Sequence, residues 1–204
     1  MASEDSYKTI RGTGEGLFKD KGSRFISYSF HVGSEDEIKE HLAALRKKYY
    51  DATHHCYAWR LGPRGETFRS NDDGEPSGSA GKPILGQLLS REITDILVVV
   101  IRYFGGTLLG VPGLINAYRE ATVDVLENSE VVTMTEEAYY EVIFPYLAMN
   151  DVMRIVKSDQ PRVVEQVFDN VCRMVLAVPR SEEAALAGKL DKIDGAQVEF
   201  IEYK

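Results

Sequence analysis

The sequence predicts two α+β domains in one chain, and three observations carry that expectation. Of its 17 glycines, 15 fall at or before Gly113 and ten of those lie between Gly62 and Gly113. The first part therefore repeatedly demands unusual backbone angles or close backbone approach, and the last third has the texture of a plainly packed module. Second, Ile96 to Ile101 (ILVVVI) is an unbroken, largely β-branched run, the pattern of a central strand covered on both faces. Third, from Ala138 onward the periodicities spell strand, helix, strand, strand, helix, strand. That order is the ferredoxin-like split βαββαβ pattern, two helices on one face of a four-stranded antiparallel sheet. The expected division is residues 1–130 and 131–204.

Within the first part, Phe25 to Val32 alternates as a strand does. Ser34 then caps an amphipathic helix whose Ile38, Leu42 and Leu45 recur at helical spacing. His55 to Leu61 forms a strand, Gly62-Pro63-Arg64-Gly65 a turn, and Glu66 to Arg69 the return of a hairpin. Ser70 to Lys82 is a loop by composition, and Pro83 suits the first position of a helix through Leu85, Leu88 and Leu89. After the central strand and the loop RYFGGTLLGVPG comes a helix from Leu114 to Leu126. Its Leu114, Ile115, Ala117, Tyr118, Ala121, Val125 and Leu126 fit one buried face.

In the last third the strands are expected at Ala138–Phe144, Val163–Phe168, Arg173–Val178 and Gln197–Ile201, with helices at Leu147–Val156 and Glu182–Ile193. Ser181 is placed as the cap of the second helix, and Asn170 at the tight turn between the middle strands.

Composition narrows the function classes. The chain has 204 residues, 44% hydrophobic and 27% charged, the mixture of a globular protein with enough apolar material for a core. Its 24 basic and 32 acidic residues give a net charge of −8, spread along the chain without a polybasic block. Non-specific nucleic-acid binding relies on dense Lys and Arg, so no DNA contact is expected and any RNA contact would be local. Cys56 and Cys172 have no CxxC partner and form no disulfide framework, which fits a reducing compartment. The charged N-terminus and the lack of any long apolar run predict a cytoplasmic protein with no membrane partner.

Four clusters carry candidate chemistry. His54-His55-Cys56 offers zinc-ligand types, but neighbours on a strand point apart, so only His54 and Cys56 could share a site. The ligand count falls short of a structural zinc. Asp72-Asp73-Gly74-Glu75-Pro76 groups carboxylates that could hold magnesium, yet Asp-Gly and Glu-Pro are equally good turn chemistry. Ser77-Gly78-Ser79-Ala80-Gly81-Lys82-Pro83 fails the phosphate-loop pattern, since Lys82 is followed by Pro83, although small residues before a helix can present amides to an anion. Arg102-Tyr103-Phe104-Gly105-Gly106, directly after the central strand, could stack on a base or clamp a phosphate, or could simply fill the core and turn the chain. No nucleophile has a base beside it, so no catalytic residue and no cofactor are expected. The alternative kept open is a metal-dependent hydrolase using His54, Asp72, Asp73 and Glu75.

His54-His55-Cys56-Tyr57-Ala58-Trp59, then Asp72 to Pro83, then Val98 to Gly106 with Leu109-Gly110, then Gly113-Leu114 with Ala117-Tyr118, resemble in order the signature of the IMPACT/YigZ-type family. The resemblance runs from about Lys8 to Leu126. It implies an N-terminal α/β domain like the second domain of a small-subunit ribosomal protein, and a companion domain similar to the last domain of elongation factor G. It also implies binding in translation rather than a reaction: eukaryotic relatives regulate the stress kinase that controls initiation, through a competing protein contact. The implied partners are the ribosome, RNA or a translation-regulating protein. Ser79 stands where the family pattern has threonine, Pro112 where a small residue or glycine is usual, and Asn116 where many members carry Arg or Lys.

The expected binding face combines the two glycine-rich loops and the start of the following helix, with Arg102 and exposed loop amides converging on one anionic or peptide ligand. Its residues are His54, Cys56, Asp72, Asp73, Gly74, Glu75, Ser77, Gly78, Ser79, Lys82, Arg102, Tyr103, Phe104, Gly105, Gly106, Gly110, Gly113 and Tyr118.

Overall fold

The structure, a computed structural model, describes residues 5–204. It divides into two compact units, one spanning Tyr7–Met134 and the other Thr135–Lys204 together with Asp5 and Ser6. Among the described residues no helix is long and apolar enough to cross a membrane.

The first unit runs β1 (Ser6–Arg11), β2 (Thr13–Asp20), β3 (Ser23–His31), α1 (Glu35–Lys48), β4 (His54–Leu61), β5 (Thr67–Asn71), α2 (Gly81–Ser90), β6 (Ile96–Tyr103), α3 (Gly110–Glu127) and β7 (Glu130–Thr135). Five strands form one sheet in the order β2-β3-β6-β4-β5, and β1 pairs with β7 in a separate ribbon. All neighbours in the five-stranded sheet are antiparallel.

β6 is central because every one of its first six side chains is apolar. Ile96, Val98 and Val100 pack with Ile84, Leu88, Leu114, Tyr118 and Val125 of α2 and α3 on one face. Leu97, Val99 and Ile101 pack with Ile38 and Leu45 of α1 on the other. All six are fully buried, at 0% exposure, which is the double coverage the ILVVVI run implies. Ser34 caps α1 as expected, its hydroxyl accepting from Glu37 N at 3.3 Å.

β1, β2 and β7 were not anticipated, and β2 shows why. Its TGEGLFKD carries two glycines and scattered charge, a poor strand signal, yet the glycines are what seat α3 against it. A Cβ on Gly16 would lie 2.6 Å from Asp124 Oδ2 and 2.9 Å from the Val125 backbone nitrogen. The pattern on α3 also needs one correction. Ile115, expected on the buried face, is 39% exposed, because the stripe 114, 117, 118, 121, 125 turns it outward.

The second unit runs β8 (Glu137–Pro145), α4 (Met149–Asp159), β9 (Arg162–Val167), β10 (Val171–Pro179), α5 (Glu183–Leu190) and β11 (Gln197–Tyr203). Its antiparallel sheet has the order β11-β8-β10-β9, the ferredoxin-like arrangement of a βαββαβ chain. Alternate residues of the central strands, Val142, Phe144, Met174 and Leu176, pack with Val152, Leu186 and Leu190 of the helices. Ser181 does not cap α5. It sits in the 3₁₀ turn Arg180–Glu182 before the helix, and its hydroxyl and amide bond to the Asp5 carboxylate instead.

Gly16→Ala is expected to lower stability by about 1–3 kcal/mol through overpacking, read as a fall in the denaturant midpoint at unchanged m-value. A neutral result would show that α3 does not lie this close to β2.

Candidate binding face of the first unit

Phe25, Arg102 and His54 stand side by side at one end of the sheet, on β3, β6 and β4. They share the face covered by α2 and α3, and the loop after β5 closes over that end.

Asp72 organises the loop. Its Oδ1 accepts from Ala80 N at 3.1 Å and Gly81 N at 2.8 Å, and its Oδ2 from Gly78 N at 2.8 Å. Burial alone would raise its pKa, but the three backbone donors outweigh burial and hold the carboxyl below its ordinary value. The carboxylate thus caps the N-terminus of α2 from nine residues upstream, so the helix starts at Gly81 rather than at Pro83. Asp73 points elsewhere, accepting from Arg46 Nη2 at 2.9 Å and from the His55 amide at 2.6 Å, while its carbonyl lies 2.7 Å from His54 Nδ1. Ser79 is buried and donates to the Pro76 carbonyl at 2.6 Å, a role for the hydroxyl it shares with threonine.

Glu75 lies deepest. Its Oε1 accepts from Arg102 Nη1 at 2.6 Å and from the Tyr118 hydroxyl at 2.8 Å, and His54 Nε2 lies 3.9 Å from its Oε2. Glu75 is 8% exposed and Arg102 6%, so this ion pair is removed from water. The guanidinium sits 5.6 Å from the Phe25 ring centre and 5.7 Å from that of Phe104. Cys56 Sγ lies 3.0 Å from the Asp72 carbonyl and 3.3 Å from the Tyr118 hydroxyl. Burial pushes the Cys56 thiol and the Tyr118 phenol far above their ordinary pKa values, so both stay protonated.

These positions correct several expectations. The amides of Gly78, Ala80 and Gly81 are taken by Asp72 and are not free for an anion. Arg102 turns inward to Glu75 rather than out to a ligand. Gly105 and Gly81 serve close backbone approach within the chain: a Cβ on Gly105 would run into the Gly22 and Ser23 backbone, and one on Gly81 would lie 2.6 Å from Asn71 N. The carboxylates of Asp72, Asp73 and Glu75 turn to different partners, and His54, though it lies between the Asp73 carbonyl and Glu75, does not draw them together on one point. Among the described residues no group of three or more His, Cys, Asp or Glu could hold a metal ion, so the hydrolase reading has no ligand set.

What remains outward is a smaller set. Gly74, Ser77, Lys82, Phe104, Gly105, Gly106 and Gly110 are exposed, and Gly78, Tyr103 and Gly113 half-buried. Tyr103 belongs to the α1 side, its hydroxyl donating to Asp51 at 2.7 Å. Phe104 is 49% exposed and Leu108 83%, with Val111 and Ile115 also outward on the first turns of α3. Leu108, Val111 and Ile115 escaped the sequence reading because isolated apolar residues beside a helix start look like core. Pro112 occupies the first turn of α3, where its missing N–H costs nothing. Asn116 accepts from Arg119 Nη2 at 2.5 Å, so a cation is still carried on that helix face, at Arg119.

A mixed sheet-and-helix unit with a signature loop folded back on its own sheet, followed by a ferredoxin-like unit, defines a two-part α+β protein. The family model of the Impact N-terminal domain matches residues 21–126, and the chain belongs to the IMPACT family. It is 30% identical over 172 residues to the IMPACT family member YigZ of Escherichia coli, covering 83% of this chain and 84% of that protein. Against the member YvyE of Bacillus subtilis the identity is 41% over 127 residues, 62% of this chain and 58% of YvyE, so the match spans a little over half of that relative. A crystal structure described as that of a hypothetical protein aligns over 97% of this chain and 98% of its own, with a TM-score of 0.70 and 28% identity. A solved structure of the two-domain translational regulator Yih1 aligns over 59% of this chain and 48% of its own, with 26% identity and a TM-score of 0.40.

Removing Glu75 strands a buried guanidinium. Glu75→Ala is expected to cost about 3–5 kcal/mol, seen as a large drop in melting temperature, and a change under about 1 kcal/mol would show that Arg102 finds water. Cys56 in the native protein should resist iodoacetamide and react at the free-thiol rate once unfolded. Rapid native alkylation would contradict the buried, protonated thiol.

Proposed function

We propose that this protein is a non-catalytic binding protein of translation or its regulation, acting in the cytoplasm. It engages the ribosome, RNA or a translation-regulating protein through the face made by the loops at residues 74–82 and 104–110 and the start of α3. Membership of the IMPACT family supports the link to translation. One observation carries the choice of face: Phe104, Leu108, Val111 and Ile115 are exposed on elements that the buried Arg102–Glu75–Tyr118 network ties to the sheet. A rigidly held apolar patch binds at low entropic cost. Buried members of the expected site, Cys56, Glu75, Ser79, Arg102 and Tyr118, hold this face in place rather than touch the partner.

The character of the face favours a protein surface over nucleic acid. Its outward side chains are mainly apolar, with Lys82 and Arg119 as exposed cations on the flanking helices, far from the phosphate-tracking density of a general RNA binder.

The test is the double variant Phe104→Ser, Leu108→Ser. Ribosome co-sedimentation and co-precipitation of translation factors should weaken by about 2 kcal/mol or more, the scale of interface anchors. Its melting curve should stay within about 1 kcal/mol of the parent, since Leu108 is exposed and half-exposed Phe104 gives up only its contact over the Arg102 guanidinium. Undiminished association with a normal melting curve would refute this face.

A further inference from the structure

A second surface of the same unit lies on the α1 side of the sheet, along the edge made by β2 and β3. It is an open groove of about 590 Å³ lined by side chains from both strands and from the end of α1. Leu17, 50% exposed, pairs directly with Ile26, and the Tyr28 ring lies beyond them, giving an apolar floor.

The charge at one end of that floor is unbalanced. Lys19 and Arg24 are directly opposite each other on the antiparallel pair, a like-charge arrangement that destabilises a sheet. Neither has a carboxylate within ion-pair distance among the described residues, in a chain whose net charge is −8. Arg24 instead lies over the Tyr103 ring at 5.0 Å. Lys48, at the end of α1, is likewise without a carboxylate: its Nζ donates to the Tyr28 hydroxyl at 3.0 Å and sits 4.9 Å and 5.2 Å from the Tyr28 and Tyr49 ring centres.

Two main-chain groups of the β2 edge are already taken by α3 and its C-cap. The outward amide of Leu17 donates to Asp124 Oδ2 at 2.8 Å, and the outward carbonyl of Glu15 accepts from Asn128 Nδ2 at 3.0 Å. A ligand adding as a further strand would have to displace these two bonds, which favours recognition through side chains.

We propose that this groove binds an extended acidic peptide segment of a partner protein, one carboxylate seated between Lys19 and Arg24 and one apolar side chain on Leu17 and Ile26. Leu17 and Lys19 are two residues apart on a strand, about 7 Å, which is the spacing of residues i and i+2 in an extended peptide. A polyanion fits less well, because Glu15 and Asp124 also line the groove. The groove is separate from the face proposed above and involves none of its residues.

The probe is a fluorescein-labelled octapeptide, two repeats of Glu-Ser-Leu-Ser, followed by anisotropy at low salt. Saturable binding is expected, weakening as salt rises, with no binding of the Lys-for-Glu counterpart. Lys19→Glu should weaken the probe at least tenfold while melting no lower than the parent, since the new carboxylate faces Arg24 and removes the like-charge pair. The Phe104→Ser, Leu108→Ser variant should bind the probe normally, which separates failure here from failure of the face above. No saturable binding, equal binding of the Lys peptide, undiminished binding by Lys19→Glu, or displacement of the probe by decauridylate would each overturn the proposal.

Discussion

The buried Glu75–Arg102 ion pair is the interaction on which the organisation of the first unit's signature face depends. Glu75 comes from the loop, Arg102 from the end of the central strand and Tyr118 from α3, and the three side chains meet within 2.6 and 2.8 Å of one carboxylate oxygen. One carboxylate therefore fixes a loop, a strand and a helix relative to one another. A desolvated pair is a poor source of net stability, because the charges give up hydration to form it. Its value lies in position: the loop as placed brings Glu75 onto a guanidinium that is otherwise cut off from water. Arg102 Nε stays without a partner among the described residues even so, and losing Glu75 would leave the buried charge uncompensated.

Asp72 completes the same logic one residue cluster earlier. A Gly- and Ser-rich loop has high conformational entropy and no apolar side chains to pack. Three backbone amides donated to one carboxylate replace the missing packing, and they also supply the cap that α2 otherwise lacks, since Ala80 makes no side-chain cap. The acidic motif is thus spent inside the chain. This accounts for carboxylates gathered within four positions that form no metal site among the described residues.

Much of the fold was legible in the sequence where one periodicity dominates. The ILVVVI run placed the central strand, Ser34 placed the start of α1, and the strand and helix periods of the last third gave its ferredoxin-like order. β2 was not legible because its strand character comes from pairing with β3 and from glycines that admit α3, which local propensity does not register. The candidate site was half legible. Residue types and order singled out the right stretches, but Asp72, Glu75 and Arg102 look the same in sequence whether they face a ligand or one another. Only the register that sets His54, Arg102 and Phe25 side by side, with the loop folded over them, decides that they face inward. The outward apolar residues Leu108 and Ile115 were hidden for the opposite reason, being apolar next to a helix that does bury most of its apolar stripe.

The central claim is that the signature loop is a locked structural element rather than a mobile ligand-grasping one. Native-state hydrogen exchange at the amides of Gly78, Ala80 and Gly81 tests it most directly, because each donates to Asp72. These three amides should exchange with protection approaching that of the β6 core, opening only with the unit as a whole. Exchange at the rate of an unstructured glycine-rich loop, with β6 still protected, would contradict it.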